Sequence, residues 1–243
     1  MPRIYIPADR ITGDKVFLEA RETRHIVKAL RLGPGDEVTV FNGEGDEYVA
    51  QLSEDEQKGV TLLIKEAFRP EREAPFEITL GQGLLKGEKM KFVIQKATEL
   101  GTATIVPLVS ARSIPTVEEE RESLRLQRWQ RIAQEAARQC GRAVVPQVER
   151  FMTLEEVLSE SVGAGLVLWE AEPTPLREVL PQIDASLGLT ILIGPEGGFS
   201  EDEVSVAQGR GYLVAGLGRR ILRAETAALS VLSIIQHRFG DLG

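Results

Sequence analysis

A glycine-rich segment in the last quarter of the sequence has the residue types of a ligand-binding loop. The apolar run Leu189–Ile193 predicts a buried strand, and residues 194–198 follow it with the sequence Gly-Pro-Glu-Gly-Gly. Open parallel sheets bind ligands beyond the carboxyl ends of their strands, where glycines let the backbone approach a ligand closely. The segment therefore predicts a small-molecule site, with a tight strand-to-helix turn as the alternative. Neither a dinucleotide fingerprint nor a P-loop matches it.

A second segment, residues 217–227, combines three arginines with apolar side chains. It has the sequence Leu-Gly-Arg-Arg-Ile-Leu-Arg-Ala-Glu-Thr-Ala and follows another strand candidate. Because Ile221 and Leu222 are apolar, we expect part of this loop to be buried. A buried loop must satisfy its backbone polar groups, and a bound polar ligand would do so. A solvated basic loop in front of a helix is the alternative.

Alternating strand and helix patterns surround these two segments from residue 76 onward. Strand candidates are 78–80, 103–109, 165–169, 189–193 and 212–217. Helix candidates are 89–100, a long helix that stops at Gly141, 154–158, 200–208 and 224–239. The pairs Thr116/Glu119 and Ser200/Glu203 have the spacing of capping boxes, which predicts where two of these helices begin. Such alternation is typical of an α/β fold with a largely parallel sheet covered on both faces.

The first 70 residues have a different pattern of short strands and turns. Strand candidates are 38–41, 47–52 and 60–64, and the hairpin-turn dipeptide Asn42-Gly43 follows the first of them. Residues 22–30 have helical spacing, so the pattern predicts a small β-barrel with one short helix. Residues 69–75 are charged and bracketed by prolines. The sequence therefore predicts two domains, residues 1–70 and residues 74–243.

Composition excludes several classes of protein. The net charge of −8 argues against a simple nucleic-acid coat protein, although residues 71–150 hold 13 Lys/Arg against 11 Asp/Glu and could form a local basic face. One cysteine and two histidines predict neither a disulfide nor a metal site. We find no apolar run of about 18 residues and no signal-peptide pattern, so we expect no membrane segment and a cytoplasmic protein.

Five motifs in consistent order give nearly the whole chain a family resemblance. Three further segments join the two described above, together with the ending Arg238-Phe239-Gly240-Asp241-Leu242-Gly243. These segments are His25-x-x-x-x-Leu30-Arg31-x-Gly33-x-Gly35, Lys89-Met90-x-x-x-Ile94-Gln95-Lys96-Ala97-Thr98-Glu99-Leu100-Gly101 and Gln139-Cys140-Gly141-Arg142. In these motifs the sequence resembles the SPOUT class of knotted methyltransferases, and most closely the RsmE family of ribosomal RNA small-subunit methyltransferases.

The resemblance implies a fold and an activity. The fold would be α/β, with a SPOUT-type parallel sheet, a C-terminal trefoil knot and a small N-terminal PUA-like β-barrel that helps to hold RNA. The activity would be methylation of N3 of a specific uridine in 16S ribosomal RNA, with S-adenosylmethionine as the cofactor. The partners would be small-subunit ribosomal RNA, or the assembled 30S subunit, and a second copy of the chain in a homodimer.

The resemblance also implies a set of cofactor-binding residues, because a knot brings several backbone segments around one small ligand. Backbone groups can then recognise the adenine without dedicated charged side chains, which fits a site rich in Gly, Leu, Ile and Pro. Most of the expected residues belong to the two motifs, and two end a neighbouring strand. The expected residues are Leu168, Glu170, Gly194, Glu196, Gly198, Leu217, Gly218, Ile221, Leu222, Arg223, Thr226 and Ala227.

Methyl transfer to N3 of uridine requires loss of the N3 proton, so the site must supply a base or stabilise an anion. We expect Arg223 to stabilise negative charge on the uracil oxygens, because its planar donors stay charged. Glu196 or Glu225 could act as the general base. For Glu225, an interaction with the dipole of the last helix is the favoured alternative.

Basic residues outside the two motifs are candidates for contact with RNA. Lys89 and Arg142 lie in the resemblance segments, and Arg3, Arg24 and Arg31 lie in the predicted barrel. A solvated surface is the usual explanation for such residues. Three alternatives to the RsmE-like function stay open: a SPOUT enzyme acting on another rRNA or tRNA nucleotide, a non-catalytic ribosome-assembly protein that binds RNA, and a nucleotide-dependent oxidoreductase, which the missing fingerprint disfavours.

Overall fold

The computed structural model describes residues 1–55, 59–112 and 119–243, which form two compact units. The first unit comprises Met1–Glu73 and Ala137–Val145, and the second comprises Ala74–Ala136 and Pro146–Gly243. The capping box predicted at Thr116 lies outside the described residues.

The first unit contains a five-stranded sheet with the strand order β1-β3-β4-β5-β2. The strands are β1 (Arg3–Tyr5), β2 (Lys15–Phe17), β3 (Glu37–Phe41), β4 (Glu47–Asp55) and β5 (Gly59–Phe68). β1 pairs with β3 in parallel, and the other pairs are antiparallel. The hairpin predicted at Asn42 is confirmed between β3 and β4. Alternating side chains such as Val38, Val40 and Leu52 form the core on one face of the sheet.

The helix predicted over residues 22–30 is present but irregular. It consists of α1 (Ala20–Arg24) and one π-helical turn, His25–Ala29, and Arg31 follows with a left-handed φ of 58°.

Polar contacts join residues 137–145 to the rest of the first unit. The Glu73 carboxylate accepts hydrogen bonds from the backbone N–H groups of Ala143 at 3.0 Å and Val144 at 3.1 Å. The sequence pattern gave no sign of this return, because contacts between residues about 70 positions apart leave no trace in local periodicity.

The second unit contains a parallel sheet with the strand order β12-β10-β11-β6-β7-β8, and β9 also pairs with β7. The strands are β6 (Ile78–Gly83), β7 (Thr104–Val109), β8 (Gln147–Val148), β9 (Met152–Thr153), β10 (Ala164–Leu168), β11 (Leu189–Ile193) and β12 (Leu213–Ala215). Every pair is parallel, which confirms the predicted sheet type. β11 is buried along its whole length, as a central strand covered on both faces must be.

The remaining helices connect these strands. They are α2 (Lys89–Glu99), α3 (Glu119–Cys140), α4 (Leu154–Glu160), α5 (Leu176–Val179), α6 (Glu201–Gly209) and α7 (Ala224–Phe239). The capping box at the start of α6 is confirmed, since the Ser200 hydroxyl accepts from the Glu203 N–H and the Glu203 carboxylate accepts from the Ser200 N–H. The sequence prediction missed β1, β2, β8, β9 and α5, which are too short to show a period.

Candidate active site

A cavity of about 700 Å³ lies at the carboxyl ends of β10, β11 and β12. Its walls are the glycine loop (residues 194–198), the arginine loop (residues 217–223), the end of β10 and the start of α7. Thr226, predicted to bind the cofactor, is exposed and does not line the cavity. The other predicted cofactor residues all line it: Leu168, Glu170, Gly194, Glu196, Gly198, Leu217, Gly218, Ile221, Leu222, Arg223 and Ala227.

The glycine loop packs so closely that side chains would not fit. A Cβ atom added at Gly83, the last residue of β6, would lie 2.3 Å from the nitrogen of Pro195. A Cβ atom added at Gly194 would lie 2.9 Å from the carbonyl carbon of Gly198, which itself has a left-handed φ of 67°. These contacts are shorter than real Cβ atoms tolerate. Glycine therefore lets the ends of β6 and β11 approach each other and brings the loop backbone to the cavity.

The arginine loop leaves its backbone without internal partners. Among the described residues, none forms a backbone hydrogen bond with the N–H and C=O groups of residues 217–222. Gly216 on one side bonds to Thr174, and the Arg223 carbonyl on the other side accepts from Ala227 as α7 begins. Backbone polar groups in native proteins are nearly always satisfied by protein, water or ligand. This loop can therefore offer hydrogen bonds to a ligand in the cavity.

The expectation that part of this loop is buried does not hold for the Ile221 side chain. Its side chain is 84% exposed at the rim of the cavity, whereas Leu222 is partly buried. Arg219, Arg220 and Arg223, which lie close to Ile221 in the sequence, are exposed as well, so this part of the loop lies at the surface.

Three arginine side chains of the cavity wall have no partner for their positive charge among the described residues. Arg219, Arg220 and Arg223 are exposed, and no described residue forms an ion pair or hydrogen bond with their guanidinium groups. Arg223 occupies the N-cap position of α7, where its backbone carbonyl is used but its side chain makes no capping bond. The three guanidinium groups are thus free to bind an anion such as a phosphate or a carboxylate.

Glu196 is held as an anion by Lys89 and by a backbone donor. Its Oε1 accepts hydrogen bonds from the backbone N–H of Lys86 and from the ammonium of Lys89, each at 3.2 Å. Partial burial raises the pKa of the Glu196 carboxyl, but these hydrogen bonds and the Lys89 charge outweigh it, so that the pKa lies below its ordinary value. A carboxylate with a lowered pKa is a weak base, and this geometry disfavours Glu196 as the general base.

The end of β10 adds an aromatic ring and a carboxylate that makes no ion pair with any residue the structure describes. Trp169 donates its indole N–H to the carbonyl of Phe199 at 3.3 Å, which fixes the ring along the cavity wall. The Glu170 carboxylate lies against Gly198, at the point where a side chain at position 198 would begin. Sequence reasoning found Glu170 but did not commit to Trp169 or to a cavity position for Lys89.

Two of the predicted RNA-binding arginines are engaged in ion pairs inside the first unit. Arg3 contacts Glu47 at 2.5 Å and donates to the Arg142 carbonyl at 2.9 Å. Arg142 is 6% exposed and pairs with Glu73 at 2.7 Å. These guanidinium groups, one buried and one partly buried, hold the segment 137–145 in place, and this geometry gives no support to their contact with RNA.

The other two RNA-binding candidates in the first unit are available to solvent. Arg24 ends α1, and Arg31 follows the π-helical turn, and both are exposed. A left-handed φ at a residue other than glycine, as at Arg31, is found more often at functional positions than elsewhere.

No cluster of His, Cys, Asp and Glu suited to a metal ion occurs within residues 1–55, 59–112 and 119–243. Within the same ranges, no helix combines the length and the apolar character that crossing a membrane requires.

The sequence matches two domain families along its length. A family described as an RNA methyltransferase domain matches residues 72–236, and one described as an RNA methyltransferase PUA domain matches residues 18–65. The first match covers more than half of the chain and includes every wall of the cavity.

Relatives and solved structures match over nearly the full length. The ribosomal RNA small subunit methyltransferase E of Bacillus subtilis is 32% identical over 239 residues, covering 96% of this chain and 91% of the relative. The crystal structure of the Neisseria gonorrhoeae protein of that name, bound to S-adenosyl methionine, has a TM-score of 0.88 at 33% identity and covers 100% of both chains. A Legionella pneumophila protein with bound SAM has a TM-score of 0.88 at 34% identity, covering 99% of this chain and 98% of that one. The chain therefore belongs to the RsmE family, the family of ribosomal RNA small subunit methyltransferase E.

Proposed function

We propose that the protein is an enzyme that transfers a methyl group from S-adenosylmethionine to N3 of a specific uridine in 16S ribosomal RNA. Family membership supports the reaction class, and two structural neighbours contain the cofactor. One observation carries the assignment. The backbone groups of residues 217–222 in the arginine loop line the cavity and have no backbone hydrogen-bond partner in the described chain.

The residues present fit the cofactor. A volume of about 700 Å³ lies within the range of small-molecule sites. Backbone groups of Leu217, Gly218 and Leu222 would recognise the adenine, and the glycine loop would pack against the rest of the ligand. When bound, S-adenosylmethionine supplies a methyl group on a positively charged sulfur.

Arg223 is the proposed catalytic residue. Uridine becomes nucleophilic at N3 when its proton leaves and negative charge spreads onto the uracil oxygens. The Arg223 guanidinium at the cavity wall, which has no ion-pair partner among the described residues, stabilises that charge without first breaking an ion pair. Glu196 is ionised and engaged with Lys89, so its proposed role is to shape the glycine loop, and proton removal to solvent needs no strong base once the anion is stabilised.

The finer architecture is part of the same proposal. We propose that the second unit is a SPOUT-type domain with a trefoil knot and that the first is a PUA-like barrel, so that the predicted domains, residues 1–70 and residues 74–243, have separate functions. The meeting of the segments after β10, β11 and β12 at one cavity supports a knotted arrangement. We also propose that the protein acts in the cytoplasm as a homodimer.

The RNA substrate would be small-subunit ribosomal RNA or the assembled 30S subunit. Arg24 and Arg31 are the proposed contacts in the first unit, because their side chains are exposed. Arg219 and Arg220 at the cavity rim would hold the phosphates that flank the target uridine.

The test is mass-spectrometric mapping of small-subunit ribosomal RNA from cells with and without the gene. We expect one N3-methyluridine to disappear on deletion and to return when the gene is restored. Loss of a different methylated nucleotide would point to another methyltransferase specificity. If no methyl group changes and the protein does not bind S-adenosylmethionine, a non-catalytic assembly factor is the better description.

A further inference from the structure

Lys89 contacts two elements of the cavity wall at once. Its ammonium nitrogen lies 3.2 Å from Oε1 of Glu196 and 3.8 Å from Oε1 of Glu225. Glu196 belongs to the glycine loop, and Glu225 lies in the first turn of α7. One cation at the start of α2 therefore joins three elements that surround the proposed cofactor site.

The Glu225 carboxylate depends on this cation. Its side chain is 13% exposed, and its Oε2 is buried with no hydrogen-bond partner in the part of the chain that the structure describes. Lys89 is also the only described cation within ion-pair distance of Glu225. Without the Lys89 ammonium, the carboxylates of Glu196 and Glu225 would be left close together in a partly buried environment, where solvent screens their repulsion only weakly.

We propose that Lys89 is a positioning residue that holds the glycine loop and the start of α7 at the spacing the cofactor requires, and that it is not an RNA contact. This inference rests on the proposed function, because it takes S-adenosylmethionine to be the ligand.

A positioning role and a direct electrostatic role predict opposite effects of removing Lys89 on the affinity for S-adenosylmethionine. S-adenosylmethionine carries a net positive charge, whereas S-adenosylhomocysteine, its demethylated product, has no net charge. Removing a nearby ammonium would strengthen binding of the cationic ligand if only Coulomb forces acted. If Lys89 positions the two elements, its loss weakens both ligands equally, because both use the same backbone groups.

The experiment measures the Kd of both ligands by isothermal titration calorimetry with the full-length protein. Lys89→Met should weaken both by about tenfold, a value reduced from that of fully buried pairs because the side chain is partly exposed. Lys89→Arg should stay within about threefold of wild type, since it keeps the charge. Lys91→Met is the matched control, because Lys91 lies on the same helix but pairs with Glu88 at 2.5 Å.

A double substitution makes the test specific. Adding Glu225→Gln to Lys89→Met removes the carboxylate charge that has lost its partner, so it should restore most of the lost ligand affinity. The effects of the two substitutions on affinity would then not add, as they would for independent sites. Three results would overturn the proposal: unchanged affinity for both ligands with weaker RNA binding, tighter binding of S-adenosylmethionine alone, or no restoration by Glu225→Gln.

The same experiment distinguishes failure of the proposed function from failure of the positioning role. Wild-type protein that binds neither ligand would contradict the proposed function itself. The coupling between positions 89 and 225 is then read from the Tm of the same proteins. A loss of Tm in Lys89→Met that Glu225→Gln reverses supports the positioning role, whereas additive losses refute it.

Discussion

Gly83→Ala should damage the cofactor site without replacing any residue that lines the cavity. The new Cβ atom would lie 2.3 Å from the nitrogen of Pro195 and 2.6 Å from the carbonyl carbon of Gly194, and both contacts are with backbone. Because Gly83 ends β6 inside a paired strand, the glycine loop must move, by about 1 Å. Overpacking of this kind costs about 1–3 kcal/mol of stability. Misplacement by about 1 Å can cost up to 100-fold in function.

Two assays measure this effect. We expect Gly83→Ala to weaken S-adenosylmethionine binding by at least about tenfold in calorimetry. We expect its Tm to fall by roughly 2–4 °C for each kcal/mol lost. Gly209→Ala is the control, because it ends α6 in the same unit and no atom lies within 4 Å of its added Cβ. A Gly83→Ala protein with wild-type Kd and Tm would refute the close packing of the glycine loop against β6.

Four further predictions follow from the same geometry. Arg223→Ala should lower kcat by about 100- to 1000-fold with little change in cofactor Kd, and a near-normal kcat would exclude its catalytic role. Cofactor binding should change tryptophan fluorescence through Trp169, and Trp169→Phe should abolish that change. Arg142→Met should cost about 1–3 kcal/mol in urea unfolding with RNA affinity unchanged, because Glu73 loses its ion-pair partner but keeps two backbone hydrogen bonds. Unchanged stability with weaker RNA binding would instead support an RNA contact. Because the pKa of Glu196 is lowered, its ion pair is complete above the ordinary glutamate pKa and is lost as pH falls through the lowered value. Cofactor Kd should thus be flat near neutral pH and rise only in acid, whereas a change between about pH 6 and 8 would contradict this.

The parts of the fold that sequence patterns predicted are those with strong local periodicity. The strand Leu189–Ile193 was predicted with the bounds it has in the structure, because five consecutive apolar residues suit a fully buried strand. The capping box at Ser200 marked the start of α6 for an equally local reason. By contrast, the two-residue strands β8 and β9 exist only through pairing with β7, which no local pattern reports.

The sequence predicted those site residues that lie in the family motifs or at positions where the backbone conformation requires glycine. It was less predictable where long-range contacts decide the environment of a side chain. Arg142 resembles an exposed basic residue in sequence, yet Glu73 holds it in a buried ion pair. Lys89 resembles a solvated helix residue, yet Glu196 draws its ammonium into the cavity wall. Ile221 resembles a core residue, yet its side chain is exposed.

The most direct test of the central claim is methyl transfer by the purified protein. Small-subunit ribosomal RNA, both naked and in assembled 30S subunits, would be taken from cells lacking the gene and incubated with isotope-labelled S-adenosylmethionine. Mass spectrometry would then locate the label. We predict one labelled N3-methyluridine in each 16S RNA molecule, formed by wild-type protein and nearly absent with Arg223→Ala. Label on another nucleotide, or none in either substrate despite tight cofactor binding, would contradict the claim.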